Sequence, residues 1–125
     1  MKKLLLCALL LVPGLASAAI ELNTFDPEQR YADSEHLLVT GPIRCAADEI
    51  LDIEVRVSQR NNTPLAEGRT KLRCTGSLQT FEVRAEIDGD DDFRPGTITA
   101  CALATTRSGR RVSDTHQWCK DVTLR

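Results

Sequence analysis

The amino-acid sequence predicts an all-β domain, an antiparallel sandwich of six or seven short strands braced by two disulfides. Three observations lead to this prediction. Apolar and polar residues alternate at period two in several segments, as in strands with one buried face. Clusters of glycine, proline, asparagine and aspartate separate these segments at intervals of roughly ten residues. An even number of cysteines remains downstream of a predicted leader.

The N-terminus has the three parts of a secretory signal peptide. Lys2-Lys3 precede an apolar run from Leu4 to Val12, and the small-residue motif Ala16-Ser17-Ala18 follows. We therefore predict that residues 1–18 are removed, and that Cys7 leaves with them. The apolar run is shorter than the roughly 20 residues that span a bilayer, so no membrane insertion is expected after cleavage.

The mature chain is expected to form one domain, with an N-terminal strand or arm over residues 19–35 and a sandwich over residues 36–125. Residues 24–34 have no periodic pattern and are predicted to be a loop or an arm. Without Lys2 and Lys3 the 16 basic residues fall to 14 against 18 acidic ones, a net charge near −4. Because basic residues that displace counterions drive nucleic-acid binding, this charge argues against nucleic-acid and anionic membrane partners.

Four cysteines remain in the mature chain, Cys45, Cys74, Cys101 and Cys119. An even number in a small exported chain indicates two disulfides, formed in the periplasm or outside the cell. Three pairings are compatible with the sequence. We favour Cys101–Cys119, because it spans one predicted hairpin, and Cys45–Cys74 then follows by elimination. A zinc site is disfavoured because the spacing of the cysteines fits no ligand pattern.

The first long strands lie between residues 36 and 58. One begins near His36 and continues to Cys45, with Gly41-Pro42 indicating a bulge or an edge position, because proline has no N–H for a ladder. Ile50 to Ser58 alternates strictly, which predicts a strand with one face in the core and one in water.

The remaining strands follow a turn cluster at residues 61–64. Leu65 to Cys74 is a weaker strand that directs Cys74 inward, and Leu78 to Ile87 alternates strictly again. A final hairpin pairs Thr97 to Arg107 with Arg111 to Leu124. Its first strand has β-branched residues and alanines on both faces, which predicts that it is covered on both sides.

The hairpin carries the candidate partner contacts, Arg107, Arg110, Arg111 and Trp118. The three arginines lie at its tip, on a chain of opposite net charge. They could dock an acidic partner or enter a trypsin-like protease as an inhibitor loop. Trp118 is either a core residue or an exposed anchor for a partner. Alternation along the strand cannot bury both Trp118 and Cys119.

An acidic turn before the hairpin supplies candidate calcium ligands, Asp88, Asp90, Asp91 and Asp92. Carboxylates are hard oxygen ligands, so a calcium-dependent binding module is the alternative function. The turn does not match an EF-hand loop, because Phe93 stands where the glycine belongs and Thr99 where the glutamate belongs. A solvated turn is the simpler interpretation, and no other cofactor is expected.

Ser113, Asp114 and His116 raise the question of a hydrolase. Ser113 would point to the opposite face of the strand from His116, whereas a nucleophile must contact its base. The sequence also has no Gly-x-Ser-x-Gly motif. No catalytic residue is therefore predicted, and the chain is predicted not to be an enzyme.

Four segments of the mature chain carry a resemblance: Gly41-Pro42-Ile43-Arg44-Cys45, Cys74-Thr75-Gly76 with Gln79, Phe93-Arg94-Pro95-Gly96, and Asp114-Thr115-His116-Gln117-Trp118-Cys119. In them the chain resembles small exported bacterial proteins of uncharacterised function. The resemblance implies an immunoglobulin-like sandwich and no activity; the strand count independently favours an immunoglobulin or fibronectin type III kind. The predicted function is a secreted or periplasmic, non-enzymatic interaction or envelope-associated module. It is expected to act as a monomer on a protein or an envelope component.

Overall fold

A computed structural model describes residues 20–60, 63–89 and 91–125 of the protein, so the predicted leader lies outside the described residues. The strands are, in chain order, β1 (Ile20–Glu21), β2 (Glu28–Asp33), β3 (His36–Cys45), β4 (Ile50–Ser58), β5 (Leu65–Arg73), β6 (Leu78–Asp88), β7 (Gly96–Ser108) and β8 (Arg111–Leu124). Within these residues we find no helix with the length and hydrophobicity needed to cross a membrane.

The strands close into a barrel of seven strands, so the predicted immunoglobulin or fibronectin type III sandwich is wrong. Hydrogen bonding runs from β2 through β8, β7, β4, β5, β6 and β3 and back to β2, and β1 pairs beside β2 on β3. Two short ladders make the closure, three residue pairs between β5 and β6 and two parallel pairs between β2 and β8. Closure pairs backbone groups that an open sheet would leave at its edges. The all-β class and the two disulfides are confirmed.

The segment predicted as a loop or an arm, residues 24–34, contributes β2 to the barrel. Gln29 within it is 2 % exposed, and its side-chain amide donates to the carbonyls of Asp26 and Thr40 and accepts from the Thr40 N–H, at 2.8 to 2.9 Å. The Gln29 side chain thus makes the two hydrogen bonds to the Thr40 backbone that a paired strand would otherwise make. This side-chain pairing explains why no apolar alternation marks the segment.

Pro42 lies in the middle of β3 without interrupting its ladder to β6, which runs from His36 opposite Glu86 to Arg44 opposite Leu78. Thr40 exchanges hydrogen bonds with Gln29 on the side of β3 away from β6. Alternate residues of a strand direct their backbone groups to the same side, so the Pro42 nitrogen also faces away from β6. The proline occupies an edge-like position, and no bulge is needed.

The core forms from alternate residues of the long strands. Leu51, Ile53, Val55 and Val57 of β4 are fully buried, as their alternation predicts. Strand β7 also alternates, with Ala100 and Ala104 buried and Thr97 and Leu103 exposed. The prediction that both faces of β7 are covered is therefore wrong for the described part of the chain, in which no second layer packs on the outside of the barrel along β7.

A second buried glutamine holds the loop between β6 and β7. The Gln59 amide donates to the carbonyls of Arg94 and Thr97, at 2.7 and 3.3 Å, and accepts from the Arg94 N–H at 2.9 Å. The Tyr31 hydroxyl donates to the Phe93 carbonyl at 2.7 Å, and burial raises the pKa of Tyr31. These bonds give the Phe93-Arg94-Pro95-Gly96 segment a fixed conformation on the barrel.

The disulfides pair Cys45 with Cys74 and Cys101 with Cys119, as the sequence predicts. Cys45 and Cys74 are each 1 % exposed, and their Cα atoms are 5.4 Å apart at one end of the barrel. Cys101 and Cys119 are directly opposed in the β7–β8 ladder. Two disulfides indicate an oxidising, non-cytoplasmic location.

Candidate functional site

The three predicted contact arginines lie at the opposite end of the barrel from the described calcium candidates, Asp88, Asp91 and Asp92. Strand β7 begins next to the acidic turn, at Gly96, and ends next to the arginines, at Ser108. Its 13 residues span roughly 40 Å at the usual rise of a strand. The two charged features therefore cannot form one binding surface.

Arg107, Arg110 and Arg111, here called the arginine tip, surround the β7–β8 turn. Ser108 pairs with Arg111, so the turn contains only Gly109 and Arg110. Gly109 has a φ of 64°, a left-handed conformation that two-residue hairpin turns require and that glycine adopts without a Cβ clash. The tip is thus a tight turn rather than an extended loop of the kind that a protease cleft binds.

The charges of the arginine tip are exposed and have no ion-pair partner among the described residues. Six other arginines each lie within 4 Å of a carboxylate: Arg44, Arg56, Arg69, Arg73, Arg84 and Arg125. Two acids at the same end of the barrel have other partners: Glu49 accepts from Ser113, and Asp114 contacts His116. The tip therefore presents positive charge that the described part of the chain does not neutralise.

The arginine tip stands on a rigid ribbon. Thirteen residue pairs align β7 with β8, and the Cys101–Cys119 disulfide joins the two strands covalently. Close to the tip, the Ser113 hydroxyl contacts the Thr106 hydroxyl and the Glu49 carboxylate, each at 2.8 Å. Little conformational entropy remains to be lost from this backbone on binding.

Trp118, the fourth candidate contact, lies in the core and not at the surface. It is 8 % exposed, its indole N–H donates to the Thr24 carbonyl at 3.2 Å, and its ring centroid is 5.9 Å from that of Phe25. Cys119 is exposed on the opposite face of β8, as alternation requires. Trp118 therefore fixes the N-terminal segment against β8 and does not belong to a contact surface with the tip.

The acidic turn gives no observed metal site. Asp88, Asp91 and Asp92 are exposed, and Asp90 lies outside the described residues. No group of three or more histidine, cysteine or acidic side chains within residues 20–60, 63–89 and 91–125 could hold a metal ion. Asp91 and Asp92 share a shallow polar cleft with Arg60 and Arg94, so nearby positive charge already faces these carboxylates.

The hydrolase residues do not form a catalytic group. His116 Nε2 lies 3.1 Å from the Asp114 carboxylate and His116 Nδ1 3.0 Å from the Asn23 side chain. Asp114 also accepts from the Ile20 N–H at 3.1 Å. Ser113 instead contacts Thr106 and Glu49. The His116–Asp114 pair thus holds Ile20 and Asn23 of the N-terminal segment against β8. The imidazole makes no hydrogen bond to Ser113.

Asp33, at the hairpin between β2 and β3, is the most strongly perturbed carboxylate. Hydrogen bonds from His36 and from the Glu35 N–H, followed by Arg84, hold its pKa at about 2. His36 Nδ1 lies 2.9 Å from the carboxylate, and the Arg84 guanidinium also contacts it. These contacts bring β2, β3 and β6 together and explain why Asp33 favours its charged form.

We expect the stabilisation from Asp33 to disappear in strong acid. The folded-state pKa of about 2 lies below the ordinary value of 3.8, so the contribution is complete above about pH 4 and is lost as the pH falls toward 2. Asp33→Asn should therefore lower the melting temperature at neutral pH, and the difference from wild type should vanish near pH 2. Thermal unfolding followed by circular dichroism measures this. A difference that stays constant across this range would contradict the prediction.

The structure reveals one surface that the sequence did not predict, a shallow groove of about 330 Å³ on the outer face of the barrel. Its lining includes Glu54, Arg56, Glu67, Cys101, Leu103 and Gln117. The strand register places Arg56 opposite both Glu67 and Cys101, and Cys101 opposite Cys119. Since β5 and β6 separate β4 from β7 in the chain, only the sheet order places Arg56 beside Cys101.

Comparison with known proteins adds no assignment to this geometry. No protein-family model matches the chain, and a search of curated protein sequences finds no match either. The function must therefore be argued from the arginine tip, the groove and the disulfides themselves.

Proposed function

We propose that the protein is an exported, non-enzymatic interaction module that binds an acidic partner through the arginine tip. The predicted leader, residues 1–18, and the two disulfides support export to the periplasm or the medium. The partner is a protein or an envelope component that carries clustered carboxylates or other anionic groups. The barrel itself acts as a monomeric scaffold for the tip.

The observation that carries the proposal is the set of three exposed, unneutralised arginines on one fixed turn. Guanidinium groups form paired hydrogen bonds with carboxylates, which gives them geometric specificity as well as attraction. The tight turn and the ladder keep Arg107, Arg110 and Arg111 close together before binding. Preorganisation of this kind reduces the entropy that a flexible basic loop would lose.

The non-enzymatic part of the proposal is supported by the hydrogen bonding of the hydrolase candidates. A nucleophile and its base must lie within hydrogen-bond reach, whereas Ser113 contacts Glu49 and Thr106 and His116 contacts Asp114 and Asn23. An inhibitor of trypsin-like proteases is less well supported, because the tip turns within two residues.

Binding of fluorescently labelled poly-L-glutamate, measured by anisotropy at low salt, tests the proposal. The variant R107Q/R110Q/R111Q should bind about tenfold more weakly than wild type, because each exposed ion pair contributes about 0.5 kcal/mol. The matched control is R30Q/R60Q/R94Q, which removes the same charge from three other arginines without an ion pair among the described residues. The control should bind nearly as well as wild type.

An equal loss of binding in both triple variants would overturn the proposal, because it would show a response to net charge and not to the arginine tip. Incubation with trypsin separates the inhibitor alternative. If the wild-type protein inhibits trypsin and R110Q does not, the arginine tip binds a protease and the proposed acidic partner is wrong.

A further inference from the structure

The two disulfides differ sharply in their access to solvent. Cys45 and Cys74 are each 1 % exposed, whereas Cys119 is exposed and Cys101 half-buried on the outer face of the barrel. The same chain therefore contains one disulfide enclosed in the core and one that a dissolved thiol can reach. Exposed disulfides are the ones that exchange with thiols, since attack requires access to a sulfur atom.

The local structure around each disulfide increases this difference. Cys74 is held by its N–H, which donates to the Glu49 carbonyl, and by its carbonyl, which accepts from Asp48, both at 2.8 Å. Reaching Cys45–Cys74 requires this end of the barrel to open. Strands β7 and β8 are already aligned by thirteen residue pairs and a two-residue turn. Reduction of Cys101–Cys119 therefore leaves the ladder that surrounds it in place.

A basic side chain stands next to the exposed disulfide. Arg56 is directly opposite Cys101 in the β4–β7 ladder and on the same outer face. Side chains in such a pair have Cβ atoms about 5 Å apart. The only ion-pair partner of Arg56 in the described chain is Glu67, at 3.5 Å, and the Arg56 side chain is 65 % exposed. A neighbouring guanidinium stabilises a cysteine thiolate, and here the favoured thiolate is that of Cys101.

We propose that Cys101–Cys119 is a thiol-exchange site for small peptide thiols, at which Arg56 stabilises the departing Cys101 thiolate. The incoming thiolate attacks Sγ of Cys119, the more exposed of the two residues, and forms a new S–S bond to it. The electron pair of the old S–S bond goes to Sγ of Cys101, which becomes a thiolate next to Arg56. The product is a mixed disulfide at Cys119.

The mixed disulfide can react further in two ways. The Cys101 thiolate can attack Sγ of Cys119 again, which restores the protein disulfide and expels the small thiolate. A second small thiolate can instead attack the sulfur of the bound thiol, which releases the Cys119 thiolate. That route oxidises two small thiols to one disulfide and reduces the protein by two electrons.

Incubation of the folded protein with reduced glutathione, followed by rapid alkylation and peptide mass mapping, tests the proposal. We expect glutathione on Cys119, an alkylated Cys101, an intact Cys45–Cys74 bond and an unchanged circular dichroism spectrum. Parallel reduction of both disulfides would overturn it, as would glutathione found on Cys101 or no reaction before the protein is unfolded by urea. The result does not depend on the arginine tip, so it can fail or succeed independently of the proposed function.

Two arginine variants test the role of Arg56. R56Q should lower the rate of glutathione addition about threefold, because the departing Cys101 thiolate loses its neighbouring positive charge. R69Q is the matched control, since Arg69 is on the same outer face but pairs with Asp52 and Glu54. It should leave the rate unchanged. An equal effect of the two substitutions would show that only the net charge of this face matters and would overturn the assignment of Arg56.

Discussion

Replacing Trp118 by alanine is expected to lower the free energy of unfolding by about 4 kcal/mol, the middle of the range for a buried aromatic residue. The substitution removes the ring that packs on Phe25 at 5.9 Å and leaves the Thr24 carbonyl without its indole donor. It also weakens the N-terminal segment at the place where that segment meets β8. Urea denaturation followed by circular dichroism measures the effect. Tryptophan fluorescence cannot be used, because the variant lacks the only tryptophan of the sequence.

Trp118→Phe separates the two contributions of the indole. A phenyl ring keeps much of the packing but has no N–H, so we expect a smaller loss, about 1 to 2 kcal/mol. If alanine at position 118 leaves the free energy of unfolding unchanged, the side chain is not part of the core. The alternative of an exposed anchor for a partner would then be restored.

Gly68→Ala is expected to lower the free energy of unfolding by about 3 kcal/mol, because a Cβ atom has no room at this position. It would collide with the Arg84 carbonyl oxygen and would lie 2.8 Å from Val83 Cγ1 and 2.9 Å from Ala85 Cα. Backbone atoms cannot rotate away as the end of a side chain can. Relief of the clash would require β5 to move away from β6.

The position of Gly68 links this prediction to the closure of the barrel. The last residue pair between β5 and β6 is Glu67 with Glu86, immediately before Gly68. Lys71→Ala, on an exposed position of the same strand, is the control and should change the free energy of unfolding by no more than about 0.5 kcal/mol. If Gly68→Ala is as mild as Lys71→Ala, the close approach of β5 to β6 is not present in solution.

Both substitutions lie close to the two short ladders that close the barrel, β2–β8 and β5–β6. Trp118 lies next to the N-terminal segment that connects β3 to β8, and Gly68 lies where β5 reaches β6. An open sandwich with an edge between β5 and β6 would leave room for a Cβ atom at Gly68, whereas Trp118 could be a core residue in either fold. A large effect of Gly68→Ala would therefore support the closed barrel over the predicted sandwich.

The sequence by itself determined the strands with one buried and one exposed face. Ile50 to Ser58 and Arg111 to Leu124 have the predicted bounds, because period-two alternation is a local property of the chain. It also favoured the observed disulfide pairing over two alternatives, since Cys101 and Cys119 lie on the two arms of one predicted hairpin. The position of the arginine tip followed from the same hairpin.

Only the tertiary structure decided which strands pair to close the barrel, β2 with β8 and β5 with β6. Strand β2 was missed because the buried Gln29 replaces backbone pairing and apolar alternation, and the barrel closes through two short ladders that no local pattern marks. The burial of Trp118 against Phe25 and the position of Arg56 beside Cys101 likewise depend on segments that are distant in sequence. Alternation fixes the face on which a side chain lies, but the neighbour across the sheet is set by strand order and register, which are global properties of the fold.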